Sequence, residues 1–206
     1  MPTGISVEID KQAEAHPKVH DLIRSRWSPR AFSSREVSTD DLTAILDAGR
    51  WAASSMNEQP WRILVARRSD RPTFERMLHV LVPANQEWAS KAPILLMTVA
   101  KKTFARTGAP NHHALHDAGQ ALAQMMLQAT ALGLHSHAMA GYDHQKARTD
   151  LGIPDDYELG AMVALGYLGT PDELPEQKRQ MELAPRQRKP LNEIVFGSHW
   201  NERLAL

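Results

Sequence analysis

One long stretch of the chain, residues 111–132, repeats apolar residues at the spacing of an α-helix. They follow one another at steps of three and four residues: Leu115, Ala118, Leu122, Met125, Ala129 and Leu132. Such steps place side chains on one helix face, so the pattern predicts a helix with a continuous apolar stripe. The small residues Ala114, Ala118 and Ala121 would let another helix approach closely, and Gly133 is a typical helix terminator.

Shorter helical and strand-like segments alternate along the rest of the chain. Start signals and apolar periodicity predict helices at about 17–24, 38–52, 70–81, 85–91 and 143–151. Apolar runs predict strands at about 62–67, 93–99, 135–140 and 158–169. The run at 92–100 is the most apolar, which is typical of a buried strand. This mixture predicts an α/β or α+β fold.

The two ends of the chain lack this periodicity. Residues 1–16 are predicted to form a loose polar arm. Beyond Pro171 the chain is rich in proline and charge, and no core element is predicted before Leu191. Because no repeat or boundary divides the sequence, residues 1–206 are interpreted as a single domain with an N-terminal arm.

Composition excludes several classes of function. The 206 residues contain no cysteine, which excludes disulfides, thiolate metal sites and a cysteine nucleophile. The 24 basic and 24 acidic residues cancel, so nothing favours nucleic acid or an anionic membrane as a partner. The N-terminus does not resemble a signal peptide, and the longest apolar run is too short to cross a bilayer. The expected location is the cytoplasm.

Three local clusters are candidates for binding chemistry. Residues 24–30 and 186–191 are both rich in arginine, and guanidinium groups suit phosphate and carboxylate oxygens. Residues 54–61 form a polar loop between a predicted helix and a predicted strand, with hydroxyls and amides that can both donate and accept hydrogen bonds. Taken singly, the first cluster is equally compatible with a solvated helix end, whereas the polar loop is more typical of a turn and the last cluster of a solvated surface run.

Taken together and in order, these clusters resemble the nitroreductase family of flavoenzymes. The match consists of Arg26-Trp27-Ser28-Pro29-Arg30, Ser54 to Trp61 and Arg186 to Leu191, with His116-Asp117-Ala118-Gly119, Ala131 to Leu134 and Leu165-Gly166-Tyr167 between them. The resemblance runs from about residue 19 to residue 195. It implies an α+β, three-layer α/β/α fold, with a mixed sheet flanked by helices and a C-terminal extension onto the partner subunit of a homodimer.

The resemblance also implies which residues hold the cofactor, FMN, at the dimer interface. Arg26, Ser28 and Arg30 would bind the phosphate and the pyrimidine edge, and Arg186 and Arg188 would close on the phosphate. A second set would face the flavin ring, in part from the partner subunit: Ser54, Ser55, Asn57, Gln59, Asn85, Ala140 and Gly141. Trp27 lies among the cofactor-binding residues at a position where the family varies.

The implied reaction needs no catalytic side chain, because FMN carries the chemistry. NADH or NADPH would pass two electrons to the flavin and leave. A nitroaromatic, quinone or similar small acceptor would then occupy the same space, which predicts ping-pong kinetics. No metal is implied. The sequence does not indicate which nicotinamide is preferred, because it contains no Gly-x-Gly-x-x-Gly fingerprint.

Other functions remain open at this point. A specialised member of the same fold, such as a dehalogenase or a flavin-consuming enzyme, is disfavoured because the 103–110 loop is the only obvious insertion. A flavin-binding module without turnover is a further alternative. A metal hydrolase would use His112, His113, His116 and Asp117, since His112 and His116 are four residues apart and would share a helix face. The glutamate of the usual His-Glu-x-x-His motif is absent.

Overall fold

The computed structural model describes residues 11–205, so the first ten residues of the predicted arm lie outside it. None of the helices in this range is long and apolar enough to cross a membrane. The helices are α1 (Asp21–Ser25), α2 (Thr39–Arg50), α3 (Arg71–His79), α4 (Pro83–Ala89), α5 (Ala114–Ala131), α6 (His144–Leu151) and α7 (Glu176–Leu183). The strands are β1 (Trp61–Arg67), β2 (Ile94–Lys101), β3 (His135–Met139) and β4 (Tyr157–Gly166).

The strands form one sheet in the order β1-β2-β4-β3. Every pairing in it is antiparallel, so the α+β class is confirmed but the expected mixed sheet is wrong for residues 11–205. The cause lies in the connections. β2 and β3 run in the same direction, but β4 lies between them and runs the opposite way. The long helix α5 therefore joins two parallel strands that do not touch.

Helices cover both faces of the sheet and produce the three layers implied by the resemblance. Every residue of β2 except its last is buried, as its apolar run predicted. Alternate side chains such as Leu95 and Met97 pack with α3, α4 and α6. Ile94 and Leu96 point to the other face and pack with α2 and α5. Burying each of these side chains stabilises the fold by about 1.5–3 kcal/mol.

Helices α2 and α5 pack closely against each other at Gly49, Ala121 and Met125. Ala114, Ala118 and Ala121 are all buried and pack with Ala52 and with Trp61 and Ala100 of the sheet, and a helix approaches closely beside Ala121. The approaching helix is α2, at Gly49. Gly133 ends α5 with φ +74°, as expected. The predicted stripe fails only at Leu115, which is 46% exposed because the buried face is centred on the alanines instead.

The chain ends differ most from expectation. α1 starts at Asp21 rather than near Pro17. Helix α7 was not predicted, because it is polar and its only buried residue is Glu182. Leu191, where the core was expected to resume, is 59% exposed. Lys11, assigned to the loose arm, is buried.

The contact at Gly49 generates a stability prediction. A Cβ at Gly49 would lie 2.6 Å from Met125 Cγ and 3.2 Å from the Ala121 carbonyl oxygen. Overpacking of this kind costs about 1–3 kcal/mol, which exceeds the ~1 kcal/mol gained from alanine's helix propensity. We expect Gly49→Ala to lower the free energy of unfolding, as measured by urea denaturation.

Gly119→Ala is the matched control, because it adds the same methyl group to α5 where no neighbouring heavy atom lies within 4 Å. It should leave the free energy of unfolding unchanged or raise it by about 1 kcal/mol through helix propensity. Equal effects of the two substitutions would contradict the close packing of α2 on α5.

Candidate functional site

A cationic cavity forms where the two arginine clusters meet. Its volume is about 220 Å³. Although the clusters lie at opposite ends of the chain, the fold brings them to one place. The predicted site residues that line this cavity are Arg26, Trp27, Ser28, Arg30, Arg186 and Arg188. Glu182 and Lys11 also line it, and sequence reasoning had assigned no role to either residue.

Glu182 docks the C-terminal segment against the first arginine cluster. Its side chain is 1% exposed. Both carboxylate oxygens lie 2.9 Å from the backbone nitrogen of Arg30, and Oε1 also accepts the Ala31 N–H at 3.0 Å. A buried carboxylate is tolerated only when it is hydrogen-bonded in this way. A single glutamate in a polar helix carries no periodic signal that could have identified it.

Arg186 and Lys11 also hold the C-terminal segment against the N-terminal part of the chain. Arg186 Nη1 donates to the carbonyl oxygens of Lys11 and Arg24, each at 2.7 Å. The Lys11 ammonium group donates to the Ala184 carbonyl. These reciprocal bonds tie the N-terminal segment to the C-terminal one. Arg186 is therefore partly structural, and its remaining N–H groups face no other acceptor in the described part of the chain.

Positive charge is concentrated in this cavity. Burial, followed by the neighbouring charges of Arg186 and Arg188, lowers the pKa of Arg26. Burial likewise lowers the pKa of Lys11, a shift that Glu182 opposes and Arg186 reinforces. Backbone N–H groups already occupy the carboxylate oxygens of Glu182, so this carboxylate balances only part of the positive charge in the cavity. Such a group of guanidinium and ammonium donors is suited to a phosphate dianion.

Two histidines of β3 lie behind the first arginine cluster. The Trp27 ring is buried and meets His135 edge-on, with 6.0 Å between the ring centroids. His137 Nδ1 donates to the Pro29 carbonyl at 2.8 Å. Burial lowers the pKa of both histidines to about 4, with smaller contributions from Arg26 and Arg30. Both imidazoles are thus neutral near pH 7, and Trp27 contributes packing that holds its segment to the sheet edge.

The far end of β3 carries a second group of predicted residues. Asn85 Nδ2 donates to the Gly141 carbonyl at 3.1 Å. A Cβ at Gly141 would lie 2.8 Å from Asn85 Nδ2, so glycine permits this contact. Ala140 is exposed beside it. An extended chain places Gly141 at most roughly 13 Å from His137, whose imidazole contacts the Pro29 carbonyl within the first arginine cluster.

The polar segment 54–59 lies apart from these groups. It leads into β1, at the sheet edge opposite β3, and it contributes nothing to the lining of the cationic cavity. Ser54 Oγ accepts the Gln59 N–H at 3.0 Å, and Gln59 Nε2 donates back to the Asn57 carbonyl at 3.0 Å. One chain therefore does not bring segment 54–59 together with the arginines.

The histidine cluster does not form the metal site considered above. His112 and His113 precede α5, so His112 and His116 do not share a helix face as expected. Asp117 is 2% exposed and accepts the backbone N–H of Ser55 at 2.9 Å. Across residues 11–205, no group of three or more potential His, Cys, Asp or Glu ligands is found.

This chain is similar to one protein family and to several known proteins and solved structures. The model of the nitroreductase family matches residues 23–167. An NADH dehydrogenase from Thermus thermophilus is 29% identical over 174 residues, spanning 69% of this chain and 82% of the relative. A crystal structure described as an oxidoreductase containing FMN has a TM-score of 0.86 and 32% identity, covering 95% of this chain and 98% of its own. A nitroreductase family protein from Clostridium difficile has a TM-score of 0.68 and 26% identity, covering 87% and 97%.

The neutral histidines generate a pH prediction. In the unfolded chain a histidine has its ordinary pKa of about 6.5, and in the fold His135 has a pKa of about 4. As the pH falls below about 6.5, His135 therefore takes up a proton in the unfolded state while it remains neutral in the folded state. The contribution of the neutral, buried His135 to the free energy of unfolding is fully present above that pH, and it is lost progressively as the pH falls to about 4.

We expect His135→Gln to make the free energy of unfolding less dependent on pH in this window, by up to ~1.4 kcal/mol per pH unit. Urea denaturation across the window measures the slope. The control is His112→Gln, which removes an exposed imidazole, and the slope should change more in His135→Gln than in this control. A slope in His135→Gln equal to that of the unmodified protein would contradict a neutral, buried His135.

Proposed function

Because the chain belongs to the nitroreductase family, we propose that it is an FMN-dependent oxidoreductase that takes two electrons from NADH or NADPH and passes them to a small acceptor. The observation that carries the proposal is the cationic cavity, where two distant arginine clusters converge. The similar oxidoreductase that contains FMN supports the choice of cofactor. When bound, FMN supplies the two-electron chemistry.

The cavity residues fit the phosphate of FMN. Arg26, Arg30 and Arg188 provide charge-assisted donors, and Ser28 lies within hydrogen-bond distance of Arg26 Nη1 at 3.2 Å. Burial and mutual repulsion lower the pKa of Arg26, so a bound dianion would relieve an existing electrostatic cost. Lys11 adds a further cation that the sequence interpretation did not include.

Residues near the end of β3 fit the flavin ring. Asn85 fixes the backbone at Gly141, and Ala140 beside it is exposed, so a ligand can reach this part of the chain. The separation of this group from the cavity suits a cofactor with a phosphate at one end and a ring at the other. These residues would bind and orient the cofactor, and none of them needs to donate or accept a proton in the reaction.

We further propose that the site is completed in a homodimer. Within one chain the polar segment 54–59 lies at the opposite sheet edge from the cavity, so a second copy would have to supply it. The C-terminal residues leave large apolar side chains exposed: Leu191 by 59%, Ile194 by 56% and Trp200 by 83%. Exposed apolar surface of this kind is typical of an interface. It supports the C-terminal extension onto a partner subunit.

The proposed acceptors are nitroaromatics and quinones, which are flat and electron-poor. NAD(P)H and the acceptor would occupy the same space in turn, which gives ping-pong kinetics. The 103–110 loop, the candidate for an insertion, closes as a short hairpin through the Thr103–Pro110 bridge. This short loop favours a general reductase over a specialised member with a lid. Kinetics that require a ternary complex would contradict the shared site.

The phosphate assignment predicts a selective loss of FMN affinity. Arg26→Met and Arg188→Met each remove a cavity cation, and Arg188 is exposed, so its loss should not affect folding. We expect each variant to raise the FMN dissociation constant about 10–100-fold, the usual effect of losing one charge-assisted hydrogen bond. Fluorescence titration of the apoprotein with FMN measures the change.

Arg179→Met is the matched control. It removes an arginine from the same C-terminal region, but one whose partners are Asp172 and Glu176 on the surface. Its FMN affinity should equal that of the unmodified protein. The phosphate assignment fails if all three variants bind FMN alike, and the proposed function fails if the unmodified apoprotein does not bind FMN.

A further inference from the structure

The polar segment 54–59 has a strained backbone. Met56, Asn57 and Gln59 have φ values of +55°, +56° and +52°, although none of them is glycine. Each such residue costs of the order of 1–3 kcal/mol and persists only where surrounding contacts fix it. Strain of this kind often occurs where backbone shape serves ligand binding. The contacts that fix this segment therefore bear on function.

Several hydrogen bonds anchor the segment, and one of them is made by a buried side chain. Glu58 accepts the Ala105 N–H at 2.8 Å from the 103–110 loop, Arg62 Nη1 donates to the Gln59 carbonyl at 3.1 Å, and Ser54 accepts the Gln59 N–H within the segment. The buried anchor is Asp117 in the first turn of α5. Its Oδ2 accepts the Ser55 N–H at 2.9 Å, just before the left-handed residues begin.

Both carboxylate oxygens of Asp117 have partners within the fold. It is 2% exposed, and its second oxygen lies 3.2 Å from Nδ1 of the exposed His116. A carboxylate in the first helical turn is stabilised by the N-terminal end of the helix dipole. Asp117 thus joins the rigid central helix to the start of the strained segment.

The anchored segment keeps ligand-binding groups available. Asp117 engages the backbone of Ser55 and not its hydroxyl group. Within residues 11–205 the Ser55 hydroxyl and the Asn57 side-chain NH2 have no hydrogen-bond partner. Both residues were predicted to face the flavin ring. The Asn57 Oδ1 accepts from Gln59 Nε2 at 3.2 Å. The fold therefore fixes the backbone while leaving the Ser55 hydroxyl and the Asn57 NH2 group free to bind a ligand.

We propose that Asp117 is a positioning residue that fixes Ser55 and Asn57 for contact with the flavin ring of the partner subunit. The inference rests on the proposed function, because it presupposes an FMN site shared in a dimer. Asp117 acts through the Ser55 N–H and does not touch the cofactor. It should affect how the ring is held, and it should not affect the cationic cavity that binds the phosphate.

The test compares Asp117→Ala with Asp117→Asn in the full-length dimer. Alanine removes the acceptor for the Ser55 N–H, whereas the asparagine oxygen can replace it. We expect Asp117→Ala to raise the FMN dissociation constant about tenfold and to shift the midpoint potential and visible absorption maximum of the bound flavin. In Asp117→Asn, the FMN dissociation constant, the midpoint potential and the absorption maximum should all match those of the unmodified protein. Inhibition of FMN binding by inorganic phosphate should be unchanged, because the cavity is intact.

Two further variants separate positioning from general stability. Gln120→Ala removes another side chain that contacts His116, and it should leave the flavin spectrum and potential unchanged. Asp117→Leu keeps the branched shape of the side chain without an acceptor, and it replaces the alanine variant if that protein does not fold. A purely structural role would lower thermal stability without moving the flavin potential or spectrum.

The outcomes distinguish this inference from the proposed function. If the unmodified protein binds FMN and the Asp117 variants match it in affinity, potential and spectrum, the positioning role is overturned. It is also overturned if phosphate binding is lost in parallel with FMN binding. If the unmodified protein does not bind FMN, the proposed function fails and the inference fails with it.

Discussion

The site depends on one buried interaction, the acceptance of the Arg30 and Ala31 N–H groups by the Glu182 carboxylate. Burying a carboxylate away from water costs several kcal/mol unless its oxygens are satisfied. Here they are satisfied only when α7 docks against the first arginine cluster. That docking brings Arg186 and Arg188 to the cavity. The positive charge at the site thus follows from the placement of one negative side chain.

The sheet then determines what a single chain can assemble. β3 packs against the first arginine cluster through the contacts of His135 with Trp27 and of His137 with the Pro29 carbonyl, and the Asn85–Gly141 contact follows its end, so the two groups share one edge. Segment 54–59 precedes β1 at the other edge, with β2 and β4 between them. Movements of side chains alone cannot bring segment 54–59 to the cavity across the two strands that lie between them. A second subunit is therefore the physical requirement for a site that uses both edges.

The parts of the fold that the sequence predicted are those with strong periodicity. The long helix α5 and the apolar strand β2 each repeat a pattern that only one type of element explains. The parts it did not predict depend on single contacts between distant segments. Glu182 and Lys11 are charged residues in polar surroundings, and only the tertiary fold buries them. The sheet was misjudged because β4 inserts between β2 and β3, an order that no local pattern encodes. The site residues followed from family resemblance rather than from spacing.

The central claim is that this protein holds a flavin that NAD(P)H reduces. The most direct measurement is the visible absorption spectrum of the purified protein reconstituted with FMN, recorded anaerobically before and after addition of NADH or NADPH. The account predicts a bound flavin spectrum that bleaches on addition of the reductant and returns when a quinone is added. A protein that remains colourless after incubation with excess FMN and removal of the unbound cofactor would contradict it.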